Sequence, residues 1–273
     1  MMSLKNNVTI ITGASTGIGE ELAYQLADQG AHLVLTARRA AELERVAEKV
    51  KAKGAKVIVV SADIAVQADC QKIIDAAIAA FGRIDILVNN AGMSMWAKFE
   101  DIQDVEMLAR IMQVNYMGSV YCTHFALPYL KASKGRIVGV ASLTGLVGVP
   151  TRTGYAASKH AMRGFFDSLR IELEDAGVSV TMIYPGFVAT GIRENATGAD
   201  GKPALIDPVD QAGVMSVTEC TGLIVQAIET RKREVVMTLK GKLGQWLKLI
   251  APSVIDGIAK KAVEGNKKFV DGK

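Results

Sequence analysis

The sequence predicts an α/β chain of doubly wound architecture, a seven-stranded parallel sheet with helices on both faces, in one domain over residues 1–273. Short β-branched runs alternate with longer amphipathic segments along the chain. The runs are apolar nearly throughout, as strands covered on both faces must be. Several of the amphipathic segments stop at a glycine, which takes a left-handed helix C-cap without a steric penalty.

After a short polar N-terminus, Met1 to Asn7, the first strand is Val8–Thr12, and a helix over 17–29 stops at Gly30. Strand His32–Thr36 precedes a helix over 40–53 closed by Gly54, and strand Lys56–Ser61 precedes one over 67–81 closed by Gly82. Strand Ile84–Asn89 leads into the longest helical pattern, 103–131. Strand Arg136–Ser142 is followed by a helix over 153–176 that ends at Gly177, and then by strand Ser179–Tyr184. The stretch from Gly186 to Gly213 is irregular and long enough to read as a mobile substrate loop over 187–213. A helix over 216–230 and strand Glu234–Met237 complete the sheet.

The remainder, 239–273, reads as a basic amphipathic C-terminal extension. Leu239, Leu243, Trp246, Leu247 and Ile250 recur at helical spacing between Lys240, Lys242 and Lys248, and Lys260, Lys261, Lys267 and Lys268 follow. Such a stripe suits packing on a second subunit, a lid over the cleft, or peripheral membrane contact through 239–268. Gly241 and Gly244 weaken the helix and favour a hinged or locally ordered element.

Hydrophobic residues at 49% and charged residues at 22% are ordinary for a globular protein. Cys70, Cys122 and Cys220 are scattered without ligand spacing, which argues against a disulfide framework or a zinc site and for a reducing compartment. No secretory signal or bilayer-spanning stretch is apparent, so the expected location is cytoplasmic. The net charge of +4 is uneven: 11 basic and 4 acidic residues lie between Arg231 and Lys273, a balance of +7, which leaves −3 for residues 1 to 230. The basic excess belongs to the tail, and nothing in the body suggests a nucleic-acid surface.

The first strand runs into Thr12-Gly13-Ala14-Ser15-Thr16-Gly17-Ile18-Gly19, where a helix begins. Glycines there let the backbone turn tightly and approach a diphosphate, and the helix N-terminus offers free N–H groups. A tight turn is the competing reading. At the end of the second strand stand Arg38 and Arg39, with no carboxylate to meet ribose hydroxyls. Two guanidiniums suit a 2′-phosphate and so favour NADP (NADPH) over NAD, with Arg38 the stronger candidate. The competing reading is a pair of solvated residues at a helix start. Asp63 and Ile64, at the end of the third strand, are placed to meet an adenine, and Asp63 also suits a helix cap.

Tyr155 and Lys159 are four residues apart in a helical pattern and so share a face. A cation held beside a phenol lowers a pKa otherwise about 10, which suits proton transfer to an alcohol/carbonyl pair. The spacing alone also describes a solvated helix face.

Taken in order, these residues resemble the short-chain dehydrogenase/reductase family along nearly the whole chain, with the Rossmann-type fold. Gly13, Gly17 and Gly19 match its cofactor loop, in which Ser15, Thr16 and Ile18 are further candidate cofactor contacts. Asn89-Asn90-Ala91-Gly92 matches its NNAG motif, so Asn89, Ala91 and Gly92 are placed beside the cofactor. Asn115, Ser142, Tyr155 and Lys159 fall where the family keeps its catalytic tetrad. Pro185-Gly186-Phe187-Val188-Ala189-Thr190 resembles the PG-x-V-x-T segment, so Pro185, Gly186, Val188 and Thr190 are expected near the nicotinamide carboxamide. One departure stands out: Thr16 occupies a position where some NADP members carry Lys or Arg.

The resemblance implies hydride transfer between the nicotinamide and a carbonyl carbon, with no metal required. Tyr155 would act as acid/base, Lys159 would lower its pKa and hold the nicotinamide ribose, Ser142 would orient the substrate, and Asn115, at a helix kink, would support a proton relay. The short Thr36-Ala37-Arg38-Arg39 stretch and the lipophilic tail resemble the branch acting on steroids, retinoids and other lipophilic carbonyls. Met93, Ser94, Met95 and Trp96 suit an adaptable apolar wall, with ordinary packing as the competing reading. His124 and His160 are given no role. A homodimer or homotetramer is expected. A non-catalytic NADP-binding or redox-sensing protein on the same fold is the alternative function.

Overall fold

A computed structural model describes residues 3–192, 195–204 and 214–264. The strands are β1 (Val8–Thr12), β2 (His32–Ala37), β3 (Val57–Ser61), β4 (Ile86–Asn89), β5 (Arg136–Val140), β6 (Ser179–Tyr184) and β7 (Glu234–Val236). They form one parallel sheet in the order β3-β2-β1-β4-β5-β6-β7. The helices are α1 (Gly17–Asp28), α2 (Ala40–Ala52), α3 (Gln67–Phe81), α4 (Glu106–Met112), α5 (Gly118–Ala132), α6 (Thr153–Glu172), α7 (Val217–Glu229), α8 (Leu239–Ile250) and α9 (Pro252–Glu264).

Alternation along each strand divides the core into two layers. Ile10 and Val34 join the cluster that holds Ile73 of α3, Ala126 of α5 and Phe166 of α6. Their neighbours Ile11 and Leu35 join the opposite cluster, with Leu22 of α1, Leu43 of α2 and Ile224 of α7. Each large apolar side chain fully buried in this way contributes about 1.5–3 kcal/mol. Burial on both faces explains why the strands read as continuous apolar runs. The strand order reverses between β1 and β4, so a crevice opens beyond their C-terminal ends.

Several boundaries differ from the sequence reading. The 103–131 pattern is not one helix: α4 passes through a π-helical turn at Gln113–Met117 into α5. The expected kink at Asn115 is this turn. β5 stops at Val140, because Ser142 turns the chain into a short 3₁₀ segment, Leu143–Gly145, and its Oγ accepts from Thr144 N–H at 3.2 Å. α6 ends at Glu172 rather than at 176, with a turn carrying the chain to Gly177.

Of the 187–213 loop, residues 193–194 and 205–213 lie outside the described residues, as do 265–273 of the tail, including Lys267 and Lys268. The described part of the loop is tied down beside the cleft. Trp96 N–H donates to Thr197 O at 2.9 Å, and Thr197 N–H donates to Ser94 O at 2.9 Å. Among the described residues no helix is long and apolar enough to cross a membrane.

Candidate active site

The loops that follow β1 and β4 are bound to each other at the reversal point. Thr12 Oγ1 accepts from the N–H groups of both Asn90 and Ala91 at 3.0 Å, and Asn90 Nδ2 donates to Thr12 O at 2.8 Å. α1 enters this junction so closely that a methyl group on Gly19 would lie 2.3 Å from Gly13 O and 2.7 Å from Asn90 Nδ2. Only glycine fits there. Thr16, in extended conformation, precedes α1 and places no side-chain cap on it, so the first N–H groups stay open to an anion. Gly17 faces Thr190, whose Cγ2 would be 3.1 Å from an added Cβ, which brings the 185–190 segment over the loop. Ser15 is buried and its carbonyl accepts from Arg45 at 3.3 Å. Arg45 also pairs with Glu20 at 2.6 Å and Glu42 at 3.0 Å. It is a strut for the loop that reading the sequence missed, since nothing local links residue 45 to residue 15.

Arg38 and Arg39 lie exposed at the end of β2, and among the described residues neither guanidinium has a hydrogen-bond or ion-pair partner. Asp63 does not cap α3 itself. It accepts from Ala65 N–H at 3.0 Å, within the turn before α3, while Asp69 in the first turn of α3 accepts from Asp63 N–H at 2.7 Å. Ile64 is buried against Gly118, a packing role. Asn89 ties β4 to α5 through Nδ2 and Thr123 Oγ1 at 3.1 Å. Ile18 is packed against the core on the α1 side. Pro185 and Val188 are buried, and Pro185 O accepts from Leu143 N–H at 3.0 Å, which joins this segment to the turn after Ser142. An uncapped helix start, a loop with no room for a methyl at Gly19, and two guanidiniums without a partner among the described residues at the end of β2 fit a nicotinamide dinucleotide.

The four tetrad candidates meet at the C-terminal edge of β4 and β5. Asn115 is fully buried, with Oδ1 accepting from Met93 N–H at 2.8 Å and Nδ2 donating to Met93 O at 3.0 Å and Ser158 Oγ at 2.9 Å. Both ends of its amide are engaged, so it clamps the strand after Gly92 to α6. Ser158, which completes that clamp, was not singled out in the sequence. Gly92 borders both groups: a methyl there would lie 3.1 Å from Asn115 Oδ1 and 3.6 Å from Lys159 Nζ. The Ser142 hydroxyl lies near enough to Tyr155 to favour its ionised form. Lys159 Nζ donates to Val140 O at 2.8 Å and stands 5.8 Å from the centre of the Tyr155 ring.

Burial sets the electrostatics of this group. It pulls Lys159 down to about 7, so ammonium and amine coexist near neutrality. It pushes Tyr155 up, against the opposing pull of the Arg152 charge and the nearby Ser142 hydroxyl. The expectation that Lys159 lowers the tyrosine pKa is not met in this geometry. Its ammonium is disfavoured by desolvation and turned to the Val140 carbonyl, and the cation acting on Tyr155 is Arg152.

Arg152 is the most important residue that the sequence reading passed over. It is buried, stacks at 3.2 Å from the Trp96 ring centre, donates to Ser94 Oγ at 2.7 Å and lies 5.5 Å from the Tyr155 ring centre. Thr151, just before it, has φ +66°, a left-handed conformation that strains a β-branched residue and turns the chain inward. Trp96 and Met95 are therefore packed rather than exposed, while Met93 is half-buried beside them. A small apolar cluster of Met95, Met107, Ile111 and Tyr155, with Met93 and Leu108 against it, forms the wall next to the tyrosine.

Comparison with known proteins agrees with this geometry. The short chain dehydrogenase family model matches residues 7–200. An Arabidopsis thaliana protein named 11-beta-hydroxysteroid dehydrogenase-like 4A is 40% identical over 253 residues, covering 92% of this chain and 83% of the relative. A Dictyostelium discoideum protein named dehydrogenase/reductase SDR family protein 7-like is 35% identical over 272 residues, covering 97% and 84%. The crystal structure of a short chain dehydrogenase/reductase from Burkholderia phymatum in complex with NAD superposes with a TM-score of 0.83 at 28% identity, covering 93% of this chain and 96% of that one. With the strand order, the glycine loop and the four candidate residues on one sheet edge, these matches show that the chain belongs to the short-chain dehydrogenase/reductase family of oxidoreductases.

Proposed function

We propose that this oxidoreductase is NADP(H)-dependent and interconverts the carbonyl and alcohol groups of a lipophilic small molecule of steroid-, retinoid- or xenobiotic-like character. The observation that carries the reading is the meeting of the half-buried Ser142 with the buried Tyr155 and Lys159 on the sheet edge that also holds the phosphate loop. The NADP preference rests on the free Arg38 and Arg39 and on the lack of a carboxylate in the Thr36–Arg39 stretch. The apolar wall around Met93 and Met95, and the hydroxysteroid dehydrogenase-like names of the plant relatives, support the lipophilic class.

The open start of α1 would hold the diphosphate, Arg38 with Arg39 the 2′-phosphate, Lys159 the nicotinamide ribose and Thr190 the carboxamide. When bound, the nicotinamide supplies hydride in reduction and takes it up in oxidation. In the reductive direction Tyr155 Oη donates a proton to the oxygen that becomes the alcohol, and the Ser142 hydroxyl orients that oxygen by a hydrogen bond. Arg152 offsets part of the burial that would otherwise hold the tyrosine proton too tightly, and Lys159, titrating near 7, returns a proton to the site.

The test is Tyr155→Phe, assayed by NADPH absorbance against a panel of lipophilic ketones and aldehydes. Turnover is expected to fall about 100- to 10,000-fold, with NADPH affinity nearly unchanged. Unchanged turnover would sink the mechanism.

A further inference from the structure

α8 is built inside out. Its apolar residues Leu239, Leu243, Trp246, Leu249 and Ile250 are 82%, 67%, 65%, 74% and 82% exposed, and none of its residues is buried. The side turned to the body carries Gly241, Gly244, Gln245 and the half-buried Leu247 instead, with Lys248 reaching in from its edge. A methyl group on Gly241 would lie 2.4 Å from Leu143 Cδ2, so the helix backbone rests directly on the turn after Ser142. Lys248 Nζ donates to Leu146 O in the same turn at 2.9 Å. α8 is a regular 12-residue helix, with Thr238 Oγ1 accepting from Gly241 N–H at 2.9 Å as its N-cap. Of the two glycines that suggested a hinge, Gly241 is a point of close approach, while Gly244 is in ordinary contact with Ile255. α9 packs back on α8 through the buried Ile255 beside Gly244, leaving Val254 and Ile258 exposed one turn apart.

An apolar stripe of this size turned away from its own protein marks a docking surface. We infer that α8 and α9 dock on the surface of an anionic lipid bilayer. The charge around the stripe selects that occupant. Apart from Lys248, which is turned to the body, the two helices carry Lys240, Lys242, Lys260 and Lys261 against only Asp256 and Glu264. A two-fold contact would set this basic face against itself, whereas anionic headgroups complement it. Trp246 and the leucines supply the face that enters the headgroup boundary, and neither helix is long and apolar enough to span the membrane. Because α8 rests on the turn after Ser142, docking would also set the catalytic cleft next to the lipid, where an apolar substrate concentrates. That last step rests on the proposed function; the docking does not.

The experiment is co-sedimentation of the full chain with vesicles of phosphatidylcholine mixed with phosphatidylserine, and with phosphatidylcholine alone. Binding is expected to the mixed vesicles, to weaken with added salt, and to fall roughly tenfold or more in Lys240→Glu/Lys242→Glu and in Leu243→Glu/Trp246→Glu. Both variants should keep the wild-type melting temperature and full turnover of a water-soluble carbonyl, since none of these residues belongs to the catalytic group. Equal recovery with both lipids, or none, overturns the proposal. So does a wild-type dimer that Leu243→Glu/Trp246→Glu splits, by light scattering, without loss of vesicle binding, because the stripe would then be covered by a second copy. Absence of carbonyl turnover in the wild type would count against the proposed function and leave the vesicle result to stand by itself.

Discussion

On the β1–β4 side of the cleft, the cofactor loop is held by main-chain groups and by residues too small to move. The short Thr12 and Asn90 side chains join the two loops by bonding backbone N–H and carbonyl groups, and Gly19 leaves no room for a methyl. On the β5–α6 side, the working groups are long side chains buried at an electrostatic cost. Lys159 is pulled down to about 7, Tyr155 is pushed up, and Arg152 is sandwiched against Trp96 behind a strained Thr151. The first side presents fixed dipoles to the diphosphate that every dinucleotide shares. The second balances charges against burial, so its chemistry is adjustable by one substitution. Rigidity and tuning are separated across the same crevice.

If that contrast is right, the two sides should fail differently when disturbed. The largest effect is expected from Gly19→Ala. A Cβ at 2.3 Å from Gly13 O forces the loop apart, and NADPH affinity should fall about 100-fold, the upper part of the ~1–3 kcal/mol cost of one overpacked methyl. Fluorescence titration with NADPH measures it. Affinity within a few-fold of wild type would show that the loop is softer than its packing implies.

On the other side, Arg152→Met should leave cofactor affinity intact while lowering turnover roughly 10- to 50-fold, since each pKa unit at the tyrosine is worth about tenfold. The sign of the accompanying pH effect follows from the charge. Arg152 stabilises tyrosinate, so its removal raises the Tyr155 pKa, and the acid limb of alcohol oxidation, which needs tyrosinate, moves to higher pH. The basic limb of reduction, which needs the protonated phenol, moves the same way. Arg152→Lys should restore part of the pH profile but less of the rate, because an ammonium cannot stack on Trp96 as the planar guanidinium does. A slower enzyme with an unmoved pH profile would reduce Arg152 to a packing role.

The same contrast explains how far the sequence could be read. The glycine loop, the strand order and the Asn115, Ser142, Tyr155 and Lys159 positions were readable, because each depends on a local pattern or on its sequence order. Arg152 was not. Its burial comes from Ser94 and Trp96, more than fifty residues earlier, and from the positive φ of Thr151, none of which periodicity reveals. The π turn at Gln113–Met117 hides in an unbroken helical pattern because a single extra residue barely disturbs it. For α8 the pattern was right and its direction was not determined. Spacing says which residues share a face, while the contact of Gly241 with Leu143 decides that the apolar face points outward.

The smallest effect, and the sharpest probe of the cofactor side, is expected at the end of β2. Gly19 tests the fixed part of that side, where any dinucleotide must fit. Arg38 and Arg39 stand exposed with no partner among the described residues, so they add charge without shaping the loop. Arg38→Ala should therefore weaken NADPH about five- to tenfold, the scale of one solvent-screened charge-assisted contact, and leave NADH within about twofold. Turnover at saturating NADPH should not change, since the residue touches no reacting atom. Raising the ionic strength should shrink the difference between the two cofactors, because an exposed guanidinium is screened. Equal losses for NADH and NADPH would place the arginine in the loop's architecture and remove the basis for NADP preference. A selective, salt-sensitive loss would show that even the rigid side has one adjustable contact, confined to its solvent-exposed edge.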